Sequence, residues 1–175
     1  MAAGNTYEAI ASVTAPGGSS SQLVMSSIPN TYTDLVLVAS CRSSIAGTGN
    51  VFFCRINGDS ASNYSYTTLG GDGSGSSAFS ERVTTDTYCR IGIHTSAASA
   101  SDTFATNVIH FMNYANTTTY KTIISRGASA QFWAFANVAL WRKTPEAITS
   151  ITVFPAGLNN WIAGSTFTLY GIKAD

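Results

Sequence analysis

The sequence predicts an all-β chain folded as an antiparallel β-sandwich, jelly-roll-like, with about eight to eleven strands. Three observations carry this. Short runs of β-branched and aromatic residues recur at intervals of about 8–17 residues, cut off by Pro, Gly or Asn. No stretch keeps a helical apolar period for more than a few residues. From Phe135 to Asp175 the chain reads strand, turn, strand, turn, strand, with its charges outside the apolar runs. An open sheet of so many strands curls or splits, which favours two layers.

The first element is Tyr7–Val13, stopped at Ala15-Pro16-Gly17-Gly18-Ser19, a turn marked by Pro and Gly. Ser21–Ile28 follows and ends at Pro29-Asn30. Asp34–Arg42 is apolar on both faces in its middle, which places it at the centre of the sandwich. Val51–Ile56 is stopped by Asn57-Gly58, a strong reversal signal. Tyr64–Leu69 leads into Gly70–Ser77 (GGDGSGSS), read as the most flexible segment. Tyr88–His94, Phe104–Met112 and Tyr120–Ser125 are the next strands, with Asn113–Thr119 as a loop. Phe135–Trp141, Ile148–Phe154 and Phe167–Ile172 complete a count of eleven. The expected organisation is an N-terminal arm over residues 1–6 and one sandwich domain over 7–175. Met1 is read as the start of a complete translation product.

Composition narrows the function classes. Charged residues make up 10% of the chain, against roughly 25% in an ordinary soluble domain. Nine basic and nine acidic residues cancel to a formal charge of zero. One reading is a neutral, Ser- and Thr-rich β surface. The sharper one is a subunit largely covered in an assembly, where each desolvated charge would need a partner. Lys121, Arg126, Arg142, Lys143 and Lys173 are scattered rather than clustered, so a nucleic acid partner is not expected. No apolar run reaches the roughly 20 residues of a spanning helix, and no membrane partner is expected either. The first six residues lack the basic and apolar regions of a signal peptide.

Cys41, Cys54 and Cys89 lie within strand-like runs, and their odd number favours buried free thiols. A Cys41–Cys54 bridge across neighbouring strands remains open. His94 and His110 each sit in an alternating apolar run, without the spacing of a metal site. No Gly-x-Ser-x-Gly elbow occurs, and the carboxylates fall mostly at strand ends and in loops. No catalytic residue, no metal site and no cofactor is therefore expected, and the chain is not read as an enzyme. The loops at Asn57–Ser60 and Gly71–Ser74 each offer one carboxylate where calcium wants several, so both are read as turns. Two sequons, at Asn63 and Asn116, are read as chance. Aromatic residues flanking loops are the remaining candidates. Tyr64 and Tyr66 share one face of their strand and Trp161 sits in an Asn-rich turn; these three are the expected ligand or subunit contacts.

Several segments form a recognisable ordered set. They are Tyr7-Glu8-Ala9-Ile10-Ala11, Ser27-Ile28-Pro29-Asn30-Thr31-Tyr32-Thr33-Asp34, Ile56-Asn57-Gly58-Asp59 with Asn63-Tyr64-Ser65, Asn113-Tyr114 with Tyr120-Lys121, Ala147–Thr152, and Ala163–Ile172. Together they resemble a group of small β-sandwich structural proteins of tailed bacteriophages, common among phages of aquatic bacteria and cyanobacteria. The resemblance spans nearly the whole chain. It implies a virion component without enzymatic activity and brings no catalytic residues with it. A long fibre would need a trimerising shaft, and the chain has no room for one. The expectation is thus a capsid decoration (cement) protein at the capsid surface. Its partners would be the phage major capsid protein and copies of itself, as a homotrimer at three-fold positions. Gly70–Ser77 and Met1–Thr6 are the expected reaching segments. The alternative is a tail fibre or baseplate adhesin domain that binds host surface glycans through Tyr64, Tyr66 and Trp161. A free-standing carbohydrate-binding module is a third reading. An adhesin requires exposed rings in a cleft, whereas a decoration protein keeps its aromatics mostly buried.

Overall fold

The computed structural model describes residues 6–18 and 20–173. Twelve antiparallel strands form two sheets, and no α-helix occurs among the described residues. The strands are β1 (Tyr7–Thr14), β2 (Leu23–Met25), β3 (Asp34–Cys41), β4 (Gly49–Ile56), β5 (Tyr64–Gly71), β6 (Phe79–Asp86), β7 (Cys89–Thr95), β8 (Ala105–Phe111), β9 (Lys121–Ala128), β10 (Ala134–Trp141), β11 (Ile151–Pro155) and β12 (Thr166–Ile172). The large sheet has the order β1-β12-β3-β8-β9-β10-β5-β6 and the small one β2-β11-β4-β7. The chain crosses repeatedly between the layers, as in a jelly roll, and the all-β sandwich expectation holds.

One strand more is present than the sequence led us to count. β6 (FSERVTTD) is an edge strand whose few apolar residues give only a weak alternation. It pairs with β5 across the exposed loop 72–78, so the glycine-rich segment is the tip of a hairpin and Gly70 and Gly71 belong to β5. The strand expected over Ile148–Phe154 begins only at Ile151. Its first residues are diverted by Asn57, whose Oδ1 accepts from the Thr149 and Ser150 amides while Nδ2 donates to the Ala147 carbonyl. Asn57 and Gly58 have φ of 51° and 68°, and the Asp59 amide donates to the Ile56 carbonyl at 2.9 Å. This is a tight reversal with two left-handed residues, as Asn-Gly predicts. It joins strands of different sheets, so it acts as a corner between layers. Of the expected N-terminal arm, residues 1–5 lie outside the described residues; so does Ser19 of the first turn.

Inward residues of both sheets form the core, with Leu35, Leu37, Ile109, Ile123 and Leu169 from the large sheet meeting Phe52, Cys54, Ile56, Ile91 and Val153 from the small one. The three cysteines are free and buried. The bridge left open between Cys41 and Cys54 is not formed. Cys41 lies on the large sheet beside the Ile93 carbonyl, and the cross-strand neighbour of Cys54 is Cys89, with sulfurs 3.2 Å apart. Burial pushes the thiols of Cys41 and Cys54 well above their ordinary values, which keeps them protonated.

Side-chain amides tie the layers together. β7 is an edge of the small sheet, paired only with β4. Its free edge rests on the inner face of the large sheet. There Asn107 on β8 accepts from the Ile93 amide at 2.9 Å and donates to the Ile93 carbonyl at 2.8 Å. Asn137 on β10 donates to the Arg90 carbonyl and accepts from Thr68. These amides complete the ladder that a neighbouring strand would have supplied. Gly127 on β9 makes room, because a Cβ there would collide with Asn107 and Phe135. At the far edge, β1 pairs with β12 so that Tyr7 lies opposite Ile172, and the Lys173 amide donates to the Thr6 carbonyl.

Candidate interaction face

The large sheet has one face in the core and one in solvent, and the solvent face is unusually apolar. Cross-strand register aligns two outward rows across it. One runs Thr67, Val138, Ile124, His110, Val36, Tyr170, Ala9. The other runs Ser80, Leu69, Ala136, Arg126, Val108, Val38, Thr168, Ser12. Leu69 is 58% exposed, Ile124 49%, Val138 45% and Val38 37%. Ordinary sandwiches put polar residues at such positions. Leu69, Ile124, Ala136 and Val138 border a shallow depression of about 250 Å³.

Charge on this face is sparse. The first row continues from Thr67 to Arg82 on β6, so the permanently charged side chains of the two rows are Arg82 at the sheet edge and Arg126, and His110 faces Asp34 at 3.1 Å at the rim. Eight strands about 4.8 Å apart, each about 23 Å long, cover on the order of 800 Å². That is the area one partner contributes to a standard protein interface. The sheet edges are less inviting. β1 carries a bulge between Ala9 and Ala11, and β6 presents Glu81 and Arg82 beside an irregular register near Tyr64. Such features discourage strand-to-strand addition. Contact through the face is the geometry left open.

The three rings expected at the surface lie inside. Tyr64 is 0% exposed, Tyr66 6% and Trp161 0%. Tyr64 and Tyr66 do share one face of β5, but it is the inner one. The Tyr64 hydroxyl donates to the Asp59 carbonyl and accepts from the Ile56 amide, each at 3.0 Å, and burial pushes its pKa upward. Burial pushes Tyr66 up to about 12, with Arg90 above its ring. Trp161 is wedged among Phe52, Phe167 and His94. Large rings with one polar atom suit both core and contact roles, and only their place in the sandwich separates the two.

The loop carboxylates have internal duties. Burial works against the charge on Asp59, yet hydrogen bonds from Trp141, Asn63 and Ala61 outweigh it and hold its pKa below the usual range. Asp72 accepts from the Ser74 amide within its own loop. Asn116, in the second sequon, accepts from the Thr118 and Thr119 amides and organises its turn. Among the described residues no group of three or more His, Cys, Asp or Glu side chains converges. No helix among them is long and apolar enough to cross a membrane.

The residues of this face were not picked out from the sequence. The double-sided apolarity of Asp34–Arg42 placed it at the centre of the sandwich; β3 is indeed an interior strand of the large sheet, and on its outer side Val36 is buried while Val38 is exposed. The usable signal was Ile124, Val138 and Leu69, each on the wrong parity of its strand.

No family model and no curated protein sequence matches the chain. Among solved structures it is similar to the crystal structure of Caenorhabditis elegans galectin LEC-6, at 8% identity over 93% of this chain and 96% of that one, with a TM-score of 0.35. At that level the galectin says nothing about what this chain binds.

Proposed function

We propose that this chain is a structural protein of a tailed-bacteriophage virion, a capsid decoration (cement) protein that clamps neighbouring major capsid subunits. The observation that carries the reading is the outer face of the large sheet. It is wide, almost uncharged and apolar at its centre, and patches of that kind mark protein contacts. The low overall charge fits a chain that works inside an assembly. In this reading the face lies on the capsid across a subunit boundary, copies of the chain gather as a homotrimer, and loop 72–78 reaches towards a neighbour. Burying one rigid sheet against two subunits at once opposes their separation under the outward pressure of packaged DNA. The reading involves no catalytic step.

The adhesin alternative needed Tyr64, Tyr66 and Trp161 at the surface, and their burial removes the residues on which it stood. Localisation decides between head and tail. The protein is labelled and purified virions are imaged by electron microscopy, alongside a variant carrying Ile124→Glu and Val138→Glu. Label at regular positions over the head, lost in the variant although it still folds, is the expected result. Label confined to the tail tip, or absent from virions, overturns the proposal.

A further inference from the structure

The outer face of the small sheet carries a different feature. Phe53 on β4 and Phe154 on β11 are cross-strand neighbours, and Tyr88 just before β7 leans over both. Phe53 and Tyr88 have ring centroids 4.3 Å apart, and Tyr88 meets Phe154 edge-on at 5.8 Å. Phe154 is almost buried and forms a floor, while Phe53 and Tyr88 remain partly open. With Arg55, Gln22 and Pro155 they line a cleft of about 260 Å³.

Arg55 gives the cleft its chemistry. Its guanidinium lies 5.1 Å from the Phe154 ring centre, and Nε donates to the Thr87 carbonyl at 3.3 Å. Those two contacts fix the side chain and leave the terminal amino groups free to receive a ligand. The four ion pairs among the described residues all involve other cations. Beside it, the exposed Gln22 amide makes no hydrogen bond among the described residues. An unneutralised planar cation on an aromatic floor favours an anion with two parallel oxygens, and the ring walls favour a flat apolar surface attached to it.

We infer that this cleft binds a carboxylate-bearing sugar ring, a uronic acid residue. The carboxylate meets Arg55, the C–H face of the pyranose lies on Phe53 and Tyr88, and Gln22 reaches a hydroxyl. An acidic peptide side chain would supply the carboxylate but no ring-sized face, and the cleft lies on a sheet face without the free strand edge that extended peptides use. The inference goes beyond the proposed capsid role and does not depend on it. The cleft is on the side of the sandwich opposite the docking face, so a copy seated through its large sheet keeps it open to solvent.

The test uses the isolated protein, so its failure is distinct from a failure of virion localisation. Methyl glucuronide is titrated while backbone amide signals are followed by NMR, with neutral methyl glucoside and an acidic tetrapeptide as comparisons. The expected result is saturable shifts at Gln22, Phe53 and Tyr88 with a Kd on the order of 1 mM, as befits a ligand of this size. Glucoside should bind at least tenfold more weakly. Arg55→Gln should remove that preference, and Tyr88→Ala should weaken both sugars while keeping the native melting temperature within a few degrees. Shifts elsewhere, equal response to glucuronide and glucoside, or tighter binding of the peptide at the same residues overturns the inference. The wild-type comparison stands even if either variant fails to fold.

Discussion

His94 is fully buried, its ring edge-on to Trp161 at 5.7 Å, with Nδ1 beside the Thr95 carbonyl and the Ser96 hydroxyl. Burial disfavours the charged ring and lowers its pKa from 6.5 to about 4. The unfolded chain therefore takes up a proton on this residue at a higher pH than the folded one. Folding stability is complete above the unfolded value and falls as the pH drops through the window from 6.5 to 4. The loss over that window is roughly 3 kcal/mol at about 1.4 kcal/mol per pH step. Urea unfolding at several pH values should show this slope, and His94→Gln should flatten it. The lowered pKa of Asp59 acts at lower pH: its stabilisation is complete above the usual carboxylate value of 3.8 and is lost as the pH falls below it. The two effects are thus separable by pH. None of this was visible in the sequence, where His94 was simply one residue of an alternating apolar run.

At the scale of the element, the edge of β7 is the most exacting feature, because it is completed by side chains from β8 and β10. Asn107→Leu leaves the buried amide of Ile93 without a partner and its carbonyl with only the weak Cys41 thiol donor. It should cost about 2–4 kcal/mol, since each orphaned group costs roughly 1–3 kcal/mol. Guanidinium unfolding measures the loss, and faster hydrogen exchange at Ile93 should accompany it. Most strands were legible from their β-branched runs and their Pro, Gly or Asn stops, and the Asn57-Gly58 reversal was legible from two residues. β6 was not, because an edge strand exposed on its outer side needs little apolar alternation. The start of β11 was misplaced because Asn57 competes for its backbone. The buried amides could not be read either: an Asn inside a strand looks like a solvent-facing residue until the opposite layer is known.

For the molecule as a whole, the sequence supplied the layered architecture but placed Tyr64, Tyr66 and Trp161 at the surface, whereas the structure buries all three. Period-two reasoning assumes that one side of a strand is polar. When both sides are apolar it reports burial, whether the second cover comes from the same chain or from another. The outer face of the large sheet carries little charge, so in the proposed role its hold on the capsid should respond weakly to salt. The amount of protein retained on purified virions washed at low and at high ionic strength should agree within about threefold. Ile124→Glu should reduce that retention while changing stability by no more than about 0.5 kcal/mol, as for other exposed positions.

The pairing of β1 with β12 has a mechanical consequence. Tyr7 lies opposite Ile172, so the beginning and the end of the sandwich leave it at one corner. Tension applied through those two ends would peel β1 from β12 one pair of hydrogen bonds at a time, the weakest way to load a sheet. Force applied across the broad face is instead shared by eight strands together. A molecule wired in this manner resists when pressed on its face and unzips when pulled by its ends.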